Sequence, residues 1–351
     1  MKKPNHYGLI ALLIFFLFPL INCNASSLFR ISKNGKWGYI NKKGEIAIDA
    51  KYDMAFPFYE GLALVSQNGK FFHIDESGKT AFETDFAPNT VCKEGMIRFA
   101  ENDKVGFLDK EGKVVIKASF TEAGNFSDGL ANAKCAENGK YGFIDTKGEW
   151  AIDPLFEAAG DFGDGYAPVR LKGKWGYVDS KGKLFKNITH NFLQNFREGY
   201  AACWKYGLYL TYINTKGEEI FSHQIYTQSP TGSWQLPIFQ FHEGLVKAKD
   251  KSADIYGYLN DKGETEIKFQ FQDAGDFSDG AARVLSGTKW GFVNKKGKMI
   301  IPAQFDYAGD FDEGVAPVFS GGNASDFIEN KEGVKMGYIN KKGELIWSYS
   351  K

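Results

Sequence analysis

An acidic residue precedes glycine at eight equivalent places between the predicted hairpins, and most of these pairs lie 34 to 36 residues apart. The eight acids are Glu60, Glu94, Asp128, Asp164, Glu198, Glu243, Asp279 and Glu313. Aligned carboxylates could bind calcium, which prefers oxygen ligands, but these pairs lack the dense Asp-x-Asp-x-Asp spacing of dedicated calcium loops. An acid before glycine is also a common turn former whose side chain bonds local amides. We therefore predict turns rather than a metal site.

The other residues that could catalyse a reaction or bind a metal are scattered. The five histidines are His6, His73, His190, His223 and His242, and no two have the spacing of metal ligands. The sequence contains neither a glycine-rich phosphate loop nor a nucleophile elbow. We therefore predict a protein that is not an enzyme and has no metal and no cofactor. A hydrolase built on a ring of repeats would need carboxylates or histidines that converge in one cleft.

Three cysteines lie in the body of the chain, at Cys92, Cys135 and Cys203. Their number is odd and their spacing is not that of a metal site, although export would permit one disulfide. Cys92 aligns with Phe126 of another unit, and Cys203 aligns with Val169. We therefore predict that these cysteines are small buried hydrophobic residues.

Residues 1–22 have the layout of a secretory signal peptide. Two lysines precede an apolar run over residues 9–18, which is too short to favour a membrane-spanning helix. Leu20-Ile21-Asn22-Cys23 resembles the lipobox of bacterial lipoproteins, in which Cys23 would carry diacylglycerol. We expect an exported lipoprotein of the outer membrane or periplasm, anchored only through Cys23. The alternatives are secretion with cleavage after Ala25 and a retained N-terminal anchor.

Nine times a short apolar stretch ends in a turn motif of Asn or Asp, two variable residues and Gly. It begins at Asn41, Asp75, Asp109, Asp145, Asp179, Asn214, Asn260, Asn294 and Asn340. The first side chain can accept hydrogen bonds from the following amides, and Gly supplies a positive φ. Alternating segments flank each turn, as in Lys36–Ile40 and Glu45–Ile48, which predicts β-hairpins. The inserted lysines, such as Lys42 and Lys43, are then solvated turn tips.

A Trp-Gly pair precedes the turn in the best copies, at Trp37, Trp175 and Trp290. We expect the large ring to cover a neighbouring backbone and the glycine to permit close approach. The corresponding residues Phe71-Phe72 and Leu210-Thr211 lack the glycine, so we predict that these two units are the least regular.

The phase of the two motifs is constant, because Phe or Cys stands three residues before each acid-Gly glycine and a small apolar strand follows it. A unit of this size cannot bury its apolar face alone, so neighbours must share one core layer. We predict an all-β domain over residues 28–351. About nine tandem β-hairpin units of roughly 34 residues form either a propeller-like ring or an open β-solenoid. In a ring, the first strand (Phe29-Arg30-Ile31) could complete the final sheet.

Two segments carry these motifs in full, from Gly35 to Gly44 and from Gly173 to Gly182. They resemble the WG-repeat, or KWG-repeat, family of exported bacterial proteins, and the resemblance extends from Phe29 to Trp347. It implies a β-rich repeat scaffold that mediates binding, and it transfers no catalytic residues.

The chain has 43 Lys and Arg residues against 43 Asp and Glu residues, which argues against sequence-independent binding to nucleic acid or an anionic membrane. Two insertions interrupt the period, around residues 222–238 and 321–334. Inserted loops often bind partners, so Trp234 and Tyr226 of the first insertion are candidate binding residues. Neutral drift of a tolerated loop explains the insertions equally well.

These observations favour a non-enzymatic exported scaffold that binds a protein partner at the bacterial cell envelope. The alternative is a carbohydrate-binding module, because Trp and Tyr recur along a β surface. Burial discriminates the two hypotheses: if Trp37, Trp175 and Trp290 are in the core, the carbohydrate hypothesis loses its best stacking residues.

Overall fold

The computed structural model describes residues 28–83, 87–185, 192–204, 209–224, 239–250, 253–328 and 333–349. The described residues form 34 β-strands and one short helix, α1 (Ala324–Ile328). The strands divide into nine antiparallel sheets, each built from consecutive strands and called blades 1 to 9 in chain order. Within this part of the chain, no helix has the length and hydropathy that crossing a membrane requires.

The strand bounds follow the repeat. Blades 1 to 3 contain β1 (Leu28–Lys33), β2 (Lys36–Asn41), β3 (Ile46–Tyr52); β4 (Met54–Ala55), β5 (Leu62–Gln67), β6 (Lys70–Asp75), β7 (Thr80–Glu83); and β8 (Ala87–Lys93), β9 (Met96–Glu101), β10 (Lys104–Leu108), β11 (Val114–Phe120). Blades 4 to 6 contain β12 (Glu122–Ala123), β13 (Ala131–Lys134), β14 (Tyr141–Ile144), β15 (Trp150–Phe156); β16 (Ala158–Ala159), β17 (Tyr166–Leu171), β18 (Lys174–Asp179), β19 (Leu184–Phe185); and β20 (Phe192–Leu193), β21 (Tyr200–Trp204), β22 (Tyr209–Asn214), β23 (Glu219–Gln224). Blades 7 to 9 contain β24 (Val246–Lys249), β25 (Tyr256–Leu259), β26 (Thr265–Phe271); β27 (Asp273–Ala274), β28 (Ala281–Ser286), β29 (Lys289–Asn294), β30 (Met299–Phe305); and β31 (Tyr307–Ala308), β32 (Val315–Ser320), β33 (Lys335–Asn340), β34 (Leu345–Tyr349).

A four-stranded blade runs from a short inner strand A to an outer strand D, with B and C between them. In blade 2 these are β4, β5, β6 and β7. In this blade strand B is the most buried, since five of the six residues of β5 are buried. Strand D is the most exposed, since β3 of blade 1 buries only Ile48 and Tyr52. The described strands of blades 1 and 7 are B, C and D.

Blade 9 packs against blade 1 and closes the ring. Phe29 and Ile31 of β1 share one hydrophobic cluster with Val315 of β32 and with Tyr338. The Tyr338 hydroxyl donates a 2.7 Å hydrogen bond to the Arg30 carbonyl oxygen. The fold is therefore a nine-bladed β-propeller, so the ring form of the prediction is confirmed and the open solenoid is wrong. β1 pairs with β2 of its own blade and does not complete the final sheet, because β31 to β34 all come from one stretch of chain.

One aromatic contact recurs between neighbouring blades and confirms the shared core layer. An aromatic ring of strand C packs on the phenylalanine that precedes the acid-Gly turn of the next blade. The ring centroids of Tyr39 and Phe58 lie 4.8 Å apart, and those of Phe292 and Phe311 lie 4.7 Å apart. All four rings are buried. Such pairs contribute about 0.5 to 1.5 kcal/mol each beyond their buried area, so the repeat distributes its stability along the ring.

The glycine of the Trp-Gly pair faces a bulge in strand D. Trp37 pairs with Tyr52 and Tyr39 pairs with Ile48, so three residues of strand D lie opposite Gly38 alone. A Cβ added to Gly38 would lie 2.5 Å from the Ile48 carbonyl oxygen, closer than any side chain tolerates. The predicted close approach is confirmed, and its cause is this bulge.

The two units without this glycine lack the bulge. In blade 2, Phe72 pairs with Glu83 and His73 with Phe82, so the register is continuous there and shifts only between His73 and Ile74. Strands β22 and β23 of blade 6 pair in the same way. The prediction that these units are the least regular is therefore wrong for their strand pairing, since the glycine serves an irregularity that they do not have.

The turn prediction is confirmed at all nine Asn or Asp positions. In the first turn, Asn41 Oδ1 accepts hydrogen bonds from the amides of Lys43 (2.9 Å) and Glu45 (3.1 Å), and Gly44 has a φ of 81°. Each of the other eight turns repeats the pair of hydrogen bonds from backbone amides.

Cys92 and Cys203 are buried free thiols, as predicted, while Cys135 is free and half-buried.

Candidate functional site

The acid-Gly pairs form the A–B turns at one face of the propeller. Tyr59 and Leu62 exchange two backbone hydrogen bonds of 2.8 and 3.1 Å around Glu60 and Gly61. Both central residues have positive φ, 50° and 86°, which is the conformation of a two-residue hairpin turn that matches strand twist. Because strands alternate in direction, the A–B and C–D turns share this face, called the collar face. The B–C hairpins and the D-to-A connections lie on the opposite face.

The collar carboxylates are the eight acids of the acid-Gly pairs, and seven of them reach the A–B turn of the next blade, whereas Glu313 pairs with Lys42 of blade 1. Glu60 accepts hydrogen bonds from the amides of Glu94 (2.8 Å) and Gly95 (2.9 Å). The same contact is repeated by Glu94, Asp128, Asp164, Glu198, Glu243 and Asp279 toward their next blades. The predicted turn role is confirmed, but the prediction that these acids bond local amides is wrong. Their partners lie a full repeat away, because the ring brings successive turns side by side.

Seven of the carboxylates that could have bound calcium are thus already hydrogen-bonded to backbone amides. The described residues contain no group of three or more His, Cys, Asp or Glu side chains placed to hold a metal ion. Hydrogen bonds to a charged group contribute about 1.5 to 3 kcal/mol where water is excluded, and less at exposed turns. The collar therefore has a structural role, in which hydrogen bonds from backbone amides to carboxylates join neighbouring blades.

Lysines of the C–D turns reinforce the collar in four blades. Lys110 Nζ lies 2.7 Å from the Glu60 carbonyl oxygen, and Lys295 Nζ lies 3.1 Å from the Glu243 carboxylate. Lys42 of blade 1 forms an ion pair with Glu313 of blade 9, across the closure of the ring. Lys341 Nζ donates to the Asp279 carbonyl oxygen of blade 8. Lys42, Lys295 and Lys341 are exposed at the turn tips, as predicted, and they also contact the preceding blade, which the sequence did not predict.

Charged side chains of blades 7, 8 and 9 meet on the inner side of the ring. This inner polar cluster consists of His242, Lys247, Asp276, Arg283 and Asp310. Arg283 Nε lies 3.0 Å from Asp310, and Lys247 Nζ lies 3.3 Å from Asp276. His242 Nε2 lies 3.6 Å from the other oxygen of Asp276. Each pair joins one blade to the next.

Burial opposes charge in this cluster. It raises the pKa of the Asp310 carboxyl, and the Arg283 guanidinium opposes that shift. Burial lowers the pKa of His242, and the Asp276 carboxylate opposes that shift. The cluster supplies one His–Asp contact of the kind that the hydrolase hypothesis needs. Asp276 also faces Lys247, however, and the remaining members form a second ion pair. These contacts describe a network that joins blades 7 to 9.

The large hydrophobic side chains that the described chain leaves exposed all lie on D strands. This apolar rim consists of Ile46, Val114, Val115, Leu155, Leu184, Ile300 and Leu345. Leu155 and Leu345 are the most exposed, at 61% and 58%. The sequence predicts these residues to be in strands, but the alternation does not reveal that strand D is outermost.

The structure places the three Trp-Gly tryptophans in packing contacts. Trp290 is buried, and the Arg283 guanidinium lies 5.3 Å from its ring centroid. Trp37 is half-buried and meets Phe327 of helix α1 edge-on at 6.4 Å. Trp175 is half-buried against the core between blades 5 and 6. By the test stated above, the carbohydrate hypothesis loses Trp290 alone as a stacking residue, because Trp37 and Trp175 are half-buried rather than in the core. Cys23, Tyr226 and Trp234 lie outside the described residues.

A sequence profile of the family described as "WG containing repeat" matches six segments, at residues 37–71, 106–141, 141–175, 175–203, 256–289 and 290–323. Together these segments cover more than half of the chain. No curated protein matches the chain in sequence.

Solved structures resemble the chain in fold, with low sequence identity. A eukaryotic initiation factor aligns with a TM-score of 0.55 and 12% identity, over 80% of this chain and 82% of that one. The computationally designed Ika8 protein aligns with a TM-score of 0.46 and 11% identity, over 84% and 94%. BamB from Moraxella catarrhalis aligns with a TM-score of 0.43 and 11% identity, over 84% and 97%. At these identities the similarity of the initiation factor shows the fold alone, and the other two carry no argument.

Proposed function

Because the chain belongs to the WG-containing repeat family and folds as a closed propeller, we propose that it is a non-enzymatic exported scaffold that binds a protein partner at the bacterial cell envelope. The observation that carries the proposal is the apolar rim. A soluble monomer rarely exposes large contiguous apolar patches, and those that it exposes are commonly interaction sites.

One arc of the rim suits a protein partner. Val114, Trp150 and Leu184 occupy the same place in the D strands of blades 3, 4 and 5, two residues after the turn glycine. Val114 and Leu184 are exposed, and Trp150 is half-buried. The C–D turns of these blades, residues 109–113, 145–149 and 179–183, carry five lysines and five acids. An apolar arc beside a neutral, mixed-charge border has the composition of a protein interface with a polar edge.

The insertions would add specificity at the opposite face. The chain leaves strand D of blade 6 at Gln224 and enters the described region again at Phe239, so residues 225–238 connect a D strand to the next blade. The segment at 321–334 is a B–C hairpin of blade 9, and these connections share one face. We keep Trp234 and Tyr226 as proposed binding residues of the first insertion.

Export and anchoring are part of the same proposal. Residues 1–22 would be removed as a signal peptide, and Cys23 would carry the lipid, with secretion after cleavage at Ala25 as the alternative. Mass spectrometry of the mature N-terminus distinguishes these cases. A lipid-modified Cys23 supports the anchor, and an unmodified start at Ser26 rules it out.

Partner binding is tested by cross-linking capture from envelope extracts of the native cell. We expect the double variant Val114→Ser/Leu184→Ser to lose a partner that the wild type captures, because it removes two apolar contacts from the arc. The matched control is Ile46→Ser/Leu345→Ser, which changes the same position in blades 1 and 9 and should retain the partner. Capture unchanged by the first variant would contradict the role of the arc. A separate deletion of residues 225–238 tests the insertion.

The carbohydrate alternative now depends on Trp234 and Tyr226 together with the half-buried Trp37 and Trp175. Glycan-array binding that is abolished by Trp234→Ala would favour it over the protein scaffold. The non-enzymatic part of the proposal is tested by hydrolase activity screening of the wild type beside Asp276→Asn. A turnover lost in that variant would reassign the inner polar cluster as a catalytic site.

A further inference from the structure

The N-terminal segment leaves the propeller at the collar face. Leu28, the first residue of β1, pairs with Asn41 at the start of the C–D turn of blade 1. The neighbouring turn residue Lys42 pairs with Glu313 of blade 9. Leu28 therefore lies beside the closure of the ring between blades 9 and 1.

Positive charge concentrates in these three blades. Their C–D turns, residues 294–298, 340–344 and 41–45, carry seven lysines and two glutamates, a formal charge of +5. The corresponding turns of blades 3 to 5 carry five lysines and five acids. The two glutamates, Glu45 and Glu344, each accept a hydrogen bond from the turn asparagine. The net charge of zero for the whole chain conceals this local excess.

Four of the seven lysines make no ion pair with a described residue. Lys42, Lys295 and Lys341 bond to the preceding blade, whereas the remaining four are exposed. These four are Lys43, Lys296, Lys298 and Lys342. They are placed to meet an anionic surface in front of the collar face.

Apolar side chains border the same turns. Ile46, Ile300 and Leu345 are exposed and lie within three residues of their turn glycines. The D strand of blade 9 touches the C–D turn of blade 1, since a Cβ added to Gly44 would lie 2.0 Å from the Ile346 carbonyl oxygen. Lysines and exposed aliphatic side chains on one convex border form the pattern of a surface that enters the headgroup region of a membrane.

We infer that the collar face of blades 8, 9 and 1 is a docking surface for an anionic lipid bilayer. Each lysine near such a surface gains attraction from the negative lipid potential, and Ile46 and Leu345 contact the headgroup boundary. This contact is additional to the lipid anchor, which the sequence predicts as the sole membrane attachment. It uses a different arc of the rim from the one proposed for the protein partner.

The short connection to Cys23 makes the anchor and the docking surface compatible. Five residue steps from Cys23 to Leu28 span at most about 17 Å, so a lipid on Cys23 would hold the collar face close to the bilayer. The B–C face would then point away from the membrane, because a six-residue B strand is about 20 Å long. The B–C hairpin ends of blade 9, Ser320 and Lys335, would therefore face the aqueous compartment.

The test measures vesicle binding of unlipidated protein that starts at Ser26, which contains every described residue. We expect it to co-sediment with vesicles of mixed phosphatidylcholine and phosphatidylglycerol, in a salt-sensitive manner, and not with pure phosphatidylcholine. The variant Lys43→Gln/Lys296→Gln/Lys298→Gln/Lys342→Gln should lower the partition coefficient by at least about tenfold. Ile46→Ser/Leu345→Ser should also weaken binding to the anionic vesicles.

The matched control removes the same number of exposed turn lysines from blades 4 to 6. Lys147→Gln/Lys181→Gln/Lys183→Gln/Lys216→Gln changes the net charge equally and should bind like the wild type. Circular dichroism verifies that all variants fold. Equal losses in the two lysine variants, or no binding of the wild type to anionic vesicles, would overturn the docking surface. Neither result bears on partner capture, which is measured in a separate experiment.

Discussion

Replacing Phe327 with alanine should loosen the closure of the propeller ring. Helix α1 belongs to the insertion of blade 9, and its Phe327 is 7% exposed. The centroid of the Phe327 phenyl ring lies 6.0 Å from that of Phe319 in the same blade and 6.4 Å from that of Trp37 in blade 1. Asn323 and Asp326 stabilise the start of the helix. The backbone amide of Asn323 donates a hydrogen bond of 2.9 Å to the Asp326 carboxylate, and the backbone amide of Asp326 donates one of 3.0 Å to Asn323 Oδ1. The insertion that the sequence suggests for partner binding thus acts in part as a clasp.

The magnitude follows from burial. Truncating a buried phenylalanine lowers the free energy of unfolding by about 3 to 5 kcal/mol. Because a site beneath a short surface helix can partly collapse, we expect a loss of about 3 kcal/mol. Urea denaturation measures the loss of stability. Hydrogen exchange should increase in β1 and β33, which flank the closure, and Trp37 fluorescence should shift to longer wavelength as the indole gains water.

Phe162→Ala is the matched control, because Phe162 is also buried, at 3% exposure, but lies between blades 4 and 5. It should reduce stability by a similar amount while its local exchange increase appears in β14 and β17. If Phe327→Ala destabilised the protein yet left exchange in β1 unchanged relative to this control, the clasp role of α1 would be refuted.

Three further predictions concern glycine, pH and thiols. Gly291→Ala should destabilise the protein in urea by more than Gly69→Ala. An added Cβ at Gly291 would lie 2.6 Å from the Ile301 carbonyl oxygen, whereas Gly69 has open space and a substitution there costs only the strain of its φ of 78°. Equal losses of stability would contradict the bulge explanation. Burial raises the pKa of Asp312 from 3.8 to about 6. Between these pH values the folded state binds more protons than the unfolded state, so stability should fall as pH rises through that window. Asp312→Asn should flatten this part of the profile of stability against pH, and an unchanged profile would contradict the role of Asp312. Burial also raises the pKa of Cys92 and Cys203 to about 12, so native protein treated with iodoacetamide at pH 8 should be modified at neither thiol by mass spectrometry, whereas urea-unfolded protein should react at both.

Much of the fold follows from local residue patterns. The nine hairpins were predictable because Asn41 and its counterparts bond amides only two and four residues away. The buried phenylalanines, such as Phe58 and Phe126, were predictable because their phase relative to the turns is constant. Gly38 indicated a close backbone approach, although the bulge that requires it lies ten residues further along the chain.

The functional surfaces were less accessible from sequence. The acid-Gly carboxylates looked like local turn formers, since nothing in a linear pattern places Glu60 beside the amide of Gly95. The excess of lysines in blades 8, 9 and 1 was hidden by neutral totals, because residues 41–45 and 294–344 are neighbours only after the ring closes. The candidate residues Trp234 and Tyr226 remain predictions.

The sequence by itself determined the repeat unit, its turns and its buried phase, because these depend on interactions within a few tens of residues. The tertiary structure alone decided that the array closes, with the Tyr338 hydroxyl on the Arg30 carbonyl across 308 residues of chain. It also decided which strand is outermost, which acid meets which amide and where exposed apolar and cationic groups collect. These properties depend on the angle between successive blades, a quantity that accumulates over nine units and is not written in any one of them.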